Sequence, residues 1–168
     1  MAAVVAAAGV SAVTTAPAHA SPPLNVYVGN NCGMYPQDCD GNDMVGGGLY
    51  LFYHSRTGSA QFPTGSNAVF YGDVYNYASD TGQVGERTYV YHYEFFAGKG
   101  EGSGEPVKNN AAAAVSCSTV TRDDYRIYYN SGYTGHSQEF DAAYYCLDAP
   151  AINLDSTLTN ENASQHWA

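Results

Sequence analysis

Between Thr88 and Phe96 the side chains alternate in character. Tyr89, Tyr91, Tyr93 and Phe95 fall on one face, and Thr88, His92 and Glu94 on the other. That period of two predicts a half-buried antiparallel strand. Leu24 to Val28, Leu49 to Tyr53, Val69 to Tyr77, Tyr125 to Tyr129 and Ser137 to Tyr145 read the same way. Gly72 and Asp73 predict a bulge or bend within the third of these. Ala111 to Val115 fits a helical turn or a strand equally. Turn signals separate the runs: Gly46-Gly47-Gly48, Pro63-Thr64-Gly65, Asp80-Thr81-Gly82 and Gly98 through Gly104. Many short strands at this spacing predict an all-β sandwich or barrel.

The pattern repeats within the chain. Gly48 to Ser55 aligns with Asp124 to Ser131, matching Leu51 to Ile127, Phe52 to Tyr128, Tyr53 to Tyr129 and Ser55 to Ser131. A glycine and a phenylalanine follow in each copy, Gly58 and Phe62 against Gly135 and Phe140. Further on, Lys108 to Ala112 aligns with Thr159 to Ala163. The first copy carries extra residues between its halves, including the Tyr89 strand. Duplication explains the common order, with repeats at about 48–117 and 124–168.

Composition narrows the function. The chain has 168 residues, 6 Lys+Arg against 16 Asp+Glu, and a net charge of −10. Such a surface excludes nucleic-acid binding and docking on anionic membranes. Tyr contributes 16 residues and only 13% are charged, which opposes both a helical bundle and disorder. Met1 to Ala20 reads as a signal peptide. It is small or apolar, carries no basic n-region, and ends in Ala18-His19-Ala20 before Ser21. The mature protein, residues 21–168, is expected to be secreted. Export favours disulfides over zinc for Cys32, Cys39, Cys117 and Cys146, since no pair has zinc-ligand spacing. Four cysteines allow three pairings. Cys32 with Cys39 would contribute up to ~2.5 kcal/mol and Cys117 with Cys146 up to ~3.6 kcal/mol by chain entropy.

The stretch IYYNSGYTGHSQEF, Ile127 to Phe140, resembles the first hairpin of a βγ-crystallin Greek key, with Tyr128, Tyr133 and Gly135 in the motif positions. The leader, GEPVKNNAAAAVSC (Gly104 to Cys117), IYYNSGYTG and NLDSTLTNENASQHW (Asn153 to Trp167) together resemble the secreted actinobacterial inhibitors of metallopeptidases with a βγ-crystallin-like fold. The likeness covers about Leu49 to Trp167. It implies a duplicated Greek-key β-sandwich with an inserted hairpin in the first repeat. It also implies a non-enzymatic monomer whose partner is an extracellular peptidase. The first copy departs: after Tyr53 its hairpin reads shorter and lacks the second aromatic. The family presents a peptide bond beside a disulfide cysteine, with an apolar residue following. Cys146-Leu147 meets both conditions here. The competing reading is a non-inhibitory module binding glycan or ions. An exposed tyrosine stripe, such as Tyr89 to Tyr93, would favour glycan.

No other chemistry is expected. His54, His92, His136 and His166 lack metal spacing. GKGEGSG, Gly98 to Gly104, carries Glu rather than the Ser/Thr of a phosphate loop and reads as a flexible hairpin loop. No Gly-x-Ser-x-Gly elbow occurs. Asp38-Cys39-Asp40-Gly41-Asn42-Asp43 offers calcium-type oxygens without EF-hand spacing. The calcium pattern of βγ-crystallins is broken, at Ala113-Ala114 after Asn109-Asn110 and at Gln165 after Asn160-Glu161. No cofactor is expected and calcium is not favoured.

Overall fold

The computed structural model describes residues 21–34, 39–40, 43–44, 47–118, 124–143 and 149–168. The leader, Met1 to Ala20, lies outside them. The described strands are β1 (Leu24–Val28), β2 (Cys39–Asp40), β3 (Asp43–Met44), β4 (Gly47–Phe52), β5 (Asn67–Phe70), β6 (Ser79–Val84), β7 (Arg87–Tyr93), β8 (Ala113–Ser118), β9 (Tyr125–Asn130), β10 (Thr134–Phe140), β11 (Ile152–Asn153) and β12 (Ser164–Trp167). The described residues contain no helix.

Two sheets form the body. One runs β11-β8-β4-β5 and the other β10-β9-β12. The two halves of the chain exchange strands between them. From the second half, β11 pairs antiparallel with β8, Ile152 opposite Ala114. From the first half, Val74 bridges antiparallel to Gln165 of β12. Each Greek key therefore closes the sheet of the other, which gives the fold a βγ-crystallin-like organisation. The register carries the same symmetry. Leu49 lies between Phe70 and Ser116, and Tyr125 between Phe140 and Trp167. At the junction the amide of Asn109 donates to the carbonyl of Asn162 at 2.8 Å, and that of Asn160 to Ala111 at 2.9 Å.

The core lies between the sheets. Leu49, Leu51, Phe70, Tyr125, Ile127 and Phe140 are buried there, each contributing about 1.5–3 kcal/mol through removal from water. The inserted hairpin, β6 and β7, joins β1 in a third sheet of order β1-β7-β6. Its alternation is as the sequence predicts: Tyr91, Tyr93 and Phe95 are buried and Tyr89 packs against them. The pairing is only half as expected, because β7 is antiparallel to β6 but parallel to β1.

Four local expectations change. Within Ala111 to Val115 the strand begins at Ala113, since β8 sits between β11 and β4 and small side chains let both its faces bury. Asp80-Thr81-Gly82 is part of β6, not a turn; pairing with β7 overrides the turn propensity of an exposed edge strand. Val69 to Tyr77 is not one strand, because β5 stops at Phe70 and Gly72 has φ +65°. The repeat partner of Phe140 is Phe70, not Phe62, so the first hairpin is longer than its mate rather than shorter. Phe62 instead stacks on Phe52 at 5.9 Å in a separate small cluster.

Candidate functional site

Cys146 and Leu147, the segment implied by the resemblance, lie outside the described residues, but their anchors do not. Ala143 forms a parallel bridge to Cys117 at the end of β8, and its amide donates to Ser116 at 3.1 Å. On the other side Ala151 donates to Gln61 at 2.9 Å, directly before β11. Cys32 and Cys117 are each in a disulfide bond. The side chains of Cys39 and Cys146 are outside the described residues, and with them the pairing.

In the second hairpin Tyr128 and Tyr133 stand 6.1 Å apart between ring centres. Tyr133 and Gly135 have φ of +59° and +84°. Tyr133 also contacts His166 at 5.2 Å and Tyr75 at 5.7 Å. These rings cover the outside of the second sheet.

The Asn-rich segments shape backbone. Asn109 and Asn160 both take left-handed φ, +63° and +58°, which asparagine tolerates. Beside Asn109 the ammonium of Lys108 donates to Asn76 Oδ1 at 3.2 Å and to Ser131 Oγ at 3.1 Å. That corner holds its own cation. Nothing in the sequence brings Lys108, Asn76 and Ser131 together, and only the exchange of strands does so. The corresponding corner, around Tyr53, Ser55, Thr159 and Asn160, is an open pocket of about 450 Å³.

Of the Asp38 to Asp43 run, β2 pairs antiparallel with β3, Cys39 opposite Met44 and Asp40 opposite Asp43, while Asp38, Gly41 and Asn42 lie outside the described residues. The side chains of the run are outside them too. An acidic cluster has no signal in the sequence: carboxylate oxygens of Asp124, Glu139 and Asp141 converge within 4.8 Å. Two of them have partners already. Glu139 pairs with Arg126, and Asp124 Oδ1 accepts from the amide of Ala142 at 2.8 Å. The histidines scatter: His54 faces Glu101 at 3.1 Å, His92 meets Asn25, and His136 meets Asp155 at 2.6 Å.

Asp155 ties the last turn together. Its Oδ1 accepts from the amides of Thr157 and Leu158 at 2.9 and 3.1 Å. The His136 hydrogen bond holds its carboxyl below the usual range, helped by those amides and opposed by desolvation. A lowered carboxyl stabilises the fold above the unfolded value near pH 4 and loses that effect as pH falls through the folded value. Asp155→Ala is expected to cost about 1 kcal/mol at pH 7. In denaturant titrations the difference from the parent should shrink below about pH 4.

No helix among the described residues is long and apolar enough to cross a membrane. No family model matches the chain, and no curated protein does. One solved structure, described as "Evolution of the eye lens beta-gamma-crystallin domain fold", matches over 77% of this chain and 92% of its own. The identity is 12% and the TM-score 0.44. So distant a likeness says nothing about activity.

Proposed function

We propose that the protein is a secreted inhibitor of metallopeptidases that works by presenting the segment containing Cys146-Leu147. The supporting observation is the pair of anchors. The described residues on either side of the segment are held, Ala143 by a bridge to disulfide-bonded Cys117 and Ala151 by a hydrogen bond to Gln61 beside β11. A segment fixed at both ends loses little conformational entropy on binding, so more of the contact energy becomes affinity. Leu147 supplies the bulky apolar side chain that thermolysin-type enzymes take just after the scissile bond.

The test is an inhibition assay of residues 21–168 against thermolysin-type, serine and cysteine peptidases in parallel. Inhibition is expected for the first class alone. Leu147→Asp should weaken it at least about tenfold, since burying an unpaired charge in an apolar pocket costs more than 1.4 kcal/mol. The fluorescence of Trp167, the only tryptophan, reports whether the variant is folded. Should a folded variant inhibit as well as the parent, Cys146-Leu147 is not the contact; failure of the parent against all three classes removes the function.

A further inference from the structure

Neither Greek key needs the third sheet to close, yet β1 and the inserted hairpin build a surface of their own. The parallel register sets Tyr27 beside His92. With Tyr91 and Tyr93 turned into the core, the alternate residues Asn25, Tyr27, His92 and Glu94 face away from it. The Tyr27 ring lies on the His92 imidazole, 4.8 Å between centres and 19° from parallel. His92 Nε2 is in turn held by Asn25 Oδ1 at 2.9 Å. One face of Tyr27 is thus supported from below, while the residue remains 63% exposed.

That ring borders a groove of about 330 Å³ that continues past Gly29, Glu94 and Phe96. A side chain at Gly29 would come within 2.5 Å of the Phe96 ring, so Phe96 lies directly on the backbone just past β1. Glu94 is the only residue of the groove that is charged at neutral pH, and it joins none of the three ion pairs among the described residues.

We propose that this groove binds an uncharged polysaccharide, one hexopyranose ring lying on the free face of Tyr27 and donating hydroxyls to the Glu94 carboxylate. The C–H face of a pyranose is apolar and flat, and suits an aromatic ring already fixed in place. A lone carboxylate accepts from neighbouring hydroxyls without needing a cation. The charge excludes acidic polymers, because the groove has no cation and the chain carries −10. The surface shares no residue with the segment proposed to meet a peptidase, so either activity can fail alone.

Affinity electrophoresis of residues 21–168 through gels containing hydroxyethyl cellulose, galactomannan, glycol chitin or the cationic polymer chitosan tests this. At least one of the three neutral polymers should retard the parent. Tyr27→Ala should weaken retardation about tenfold, the worth of a good ring contact, and Glu94→Ala should weaken it as well. Tyr75→Ala, which removes another ring of 63% exposure, from the first repeat but packed against Tyr133 of the second hairpin, should leave it unchanged. Retardation by none of the neutral polymers overturns the proposal. So does retardation that Tyr27→Ala preserves or Tyr75→Ala abolishes. Retardation by chitosan alone would mean that Glu94 takes an ammonium, and also overturns it.

Discussion

Gln165→Ala is expected to lower stability by about 3–4 kcal/mol, a drop of roughly 10 °C in Tm for a chain of this size. Gln165 is fully buried in β12 and its amide joins both halves. The Tyr77 hydroxyl donates to its Oε1 at 2.8 Å, and its Nε2 donates to the Gly72 carbonyl at 2.8 Å. Beside them the Gly72 amide donates to the Tyr125 hydroxyl at 2.9 Å. Alanine would leave a buried hydroxyl and a buried carbonyl without these partners, around a cavity the size of the lost side chain. Tyr77→Phe strands only one acceptor and should cost about 1–2 kcal/mol. Trp167 packs near Tyr71 and Tyr125, so its fluorescence during urea unfolding reads both variants at the altered site. A loss below 1 kcal/mol for Gln165→Ala would mean that the network is not what joins the halves.

The same network sets an alkaline limit. Burial, reinforced by the nearby Tyr125, raises the Tyr77 phenol well above its usual range. Its contribution is complete below the unfolded value near pH 10 and is lost as pH rises beyond that toward the folded value. Stability of Tyr77→Phe should therefore fall less steeply above about pH 10 than that of the parent.

Much of this architecture is written in local pattern. The alternation from Tyr89 to Phe95 survives because a half-buried strand keeps its period whatever it pairs with. The match of Lys108–Ala112 to Thr159–Ala163 is legible because both segments adopt the same left-handed asparagine turn, which constrains sequence directly. What stays hidden depends on contacts distant along the chain. Ser79 to Gln83 has no apolar side chain and none of β6 is fully buried, so nothing but its partner β7 marks it as strand. Phe62 and Phe70 each follow a single turn glycine, Gly58 and Gly65, by four or five residues, and only the register opposite Leu49 decides between them. Lys108, Asn76 and Ser131 meet through the exchange of strands, and Tyr27 reaches His92 through a parallel pairing across more than sixty residues. The groove has no sequence signal at all, since its parts come from β1 and from the far end of the insert.

The glycine run from Gly98 to Gly104 separates two roles that look alike in sequence. Gly102 and Gly104 both have positive φ, +85° and +80°. A side chain at Gly104 would meet nothing within 4 Å, whereas one at Gly102 would lie 2.2 Å from Cγ of Tyr53. Tyr53 is not free to yield, because its ring is wedged edge-on against Phe95 at 5.6 Å and His54 at 4.9 Å. The loop is also tied to the first sheet, as Ser66 donates to the Glu101 carbonyl at 2.8 Å. A loop pinned in this way is a packed part of the first Greek key rather than a flexible connector. Gly104→Ala should carry only the left-handed backbone cost, about 1 kcal/mol. Gly102→Ala should add the overpacking of Tyr53 and reach about 3–4 kcal/mol in all. Equal losses in urea unfolding of the two variants would show that Tyr53 swings aside at no cost and that the loop does not brace the first hairpin. A larger loss at Gly102, with the amide of Ser66 becoming faster to exchange, is the expected result, because displacing the Tyr53 ring must loosen the loop that lies on it.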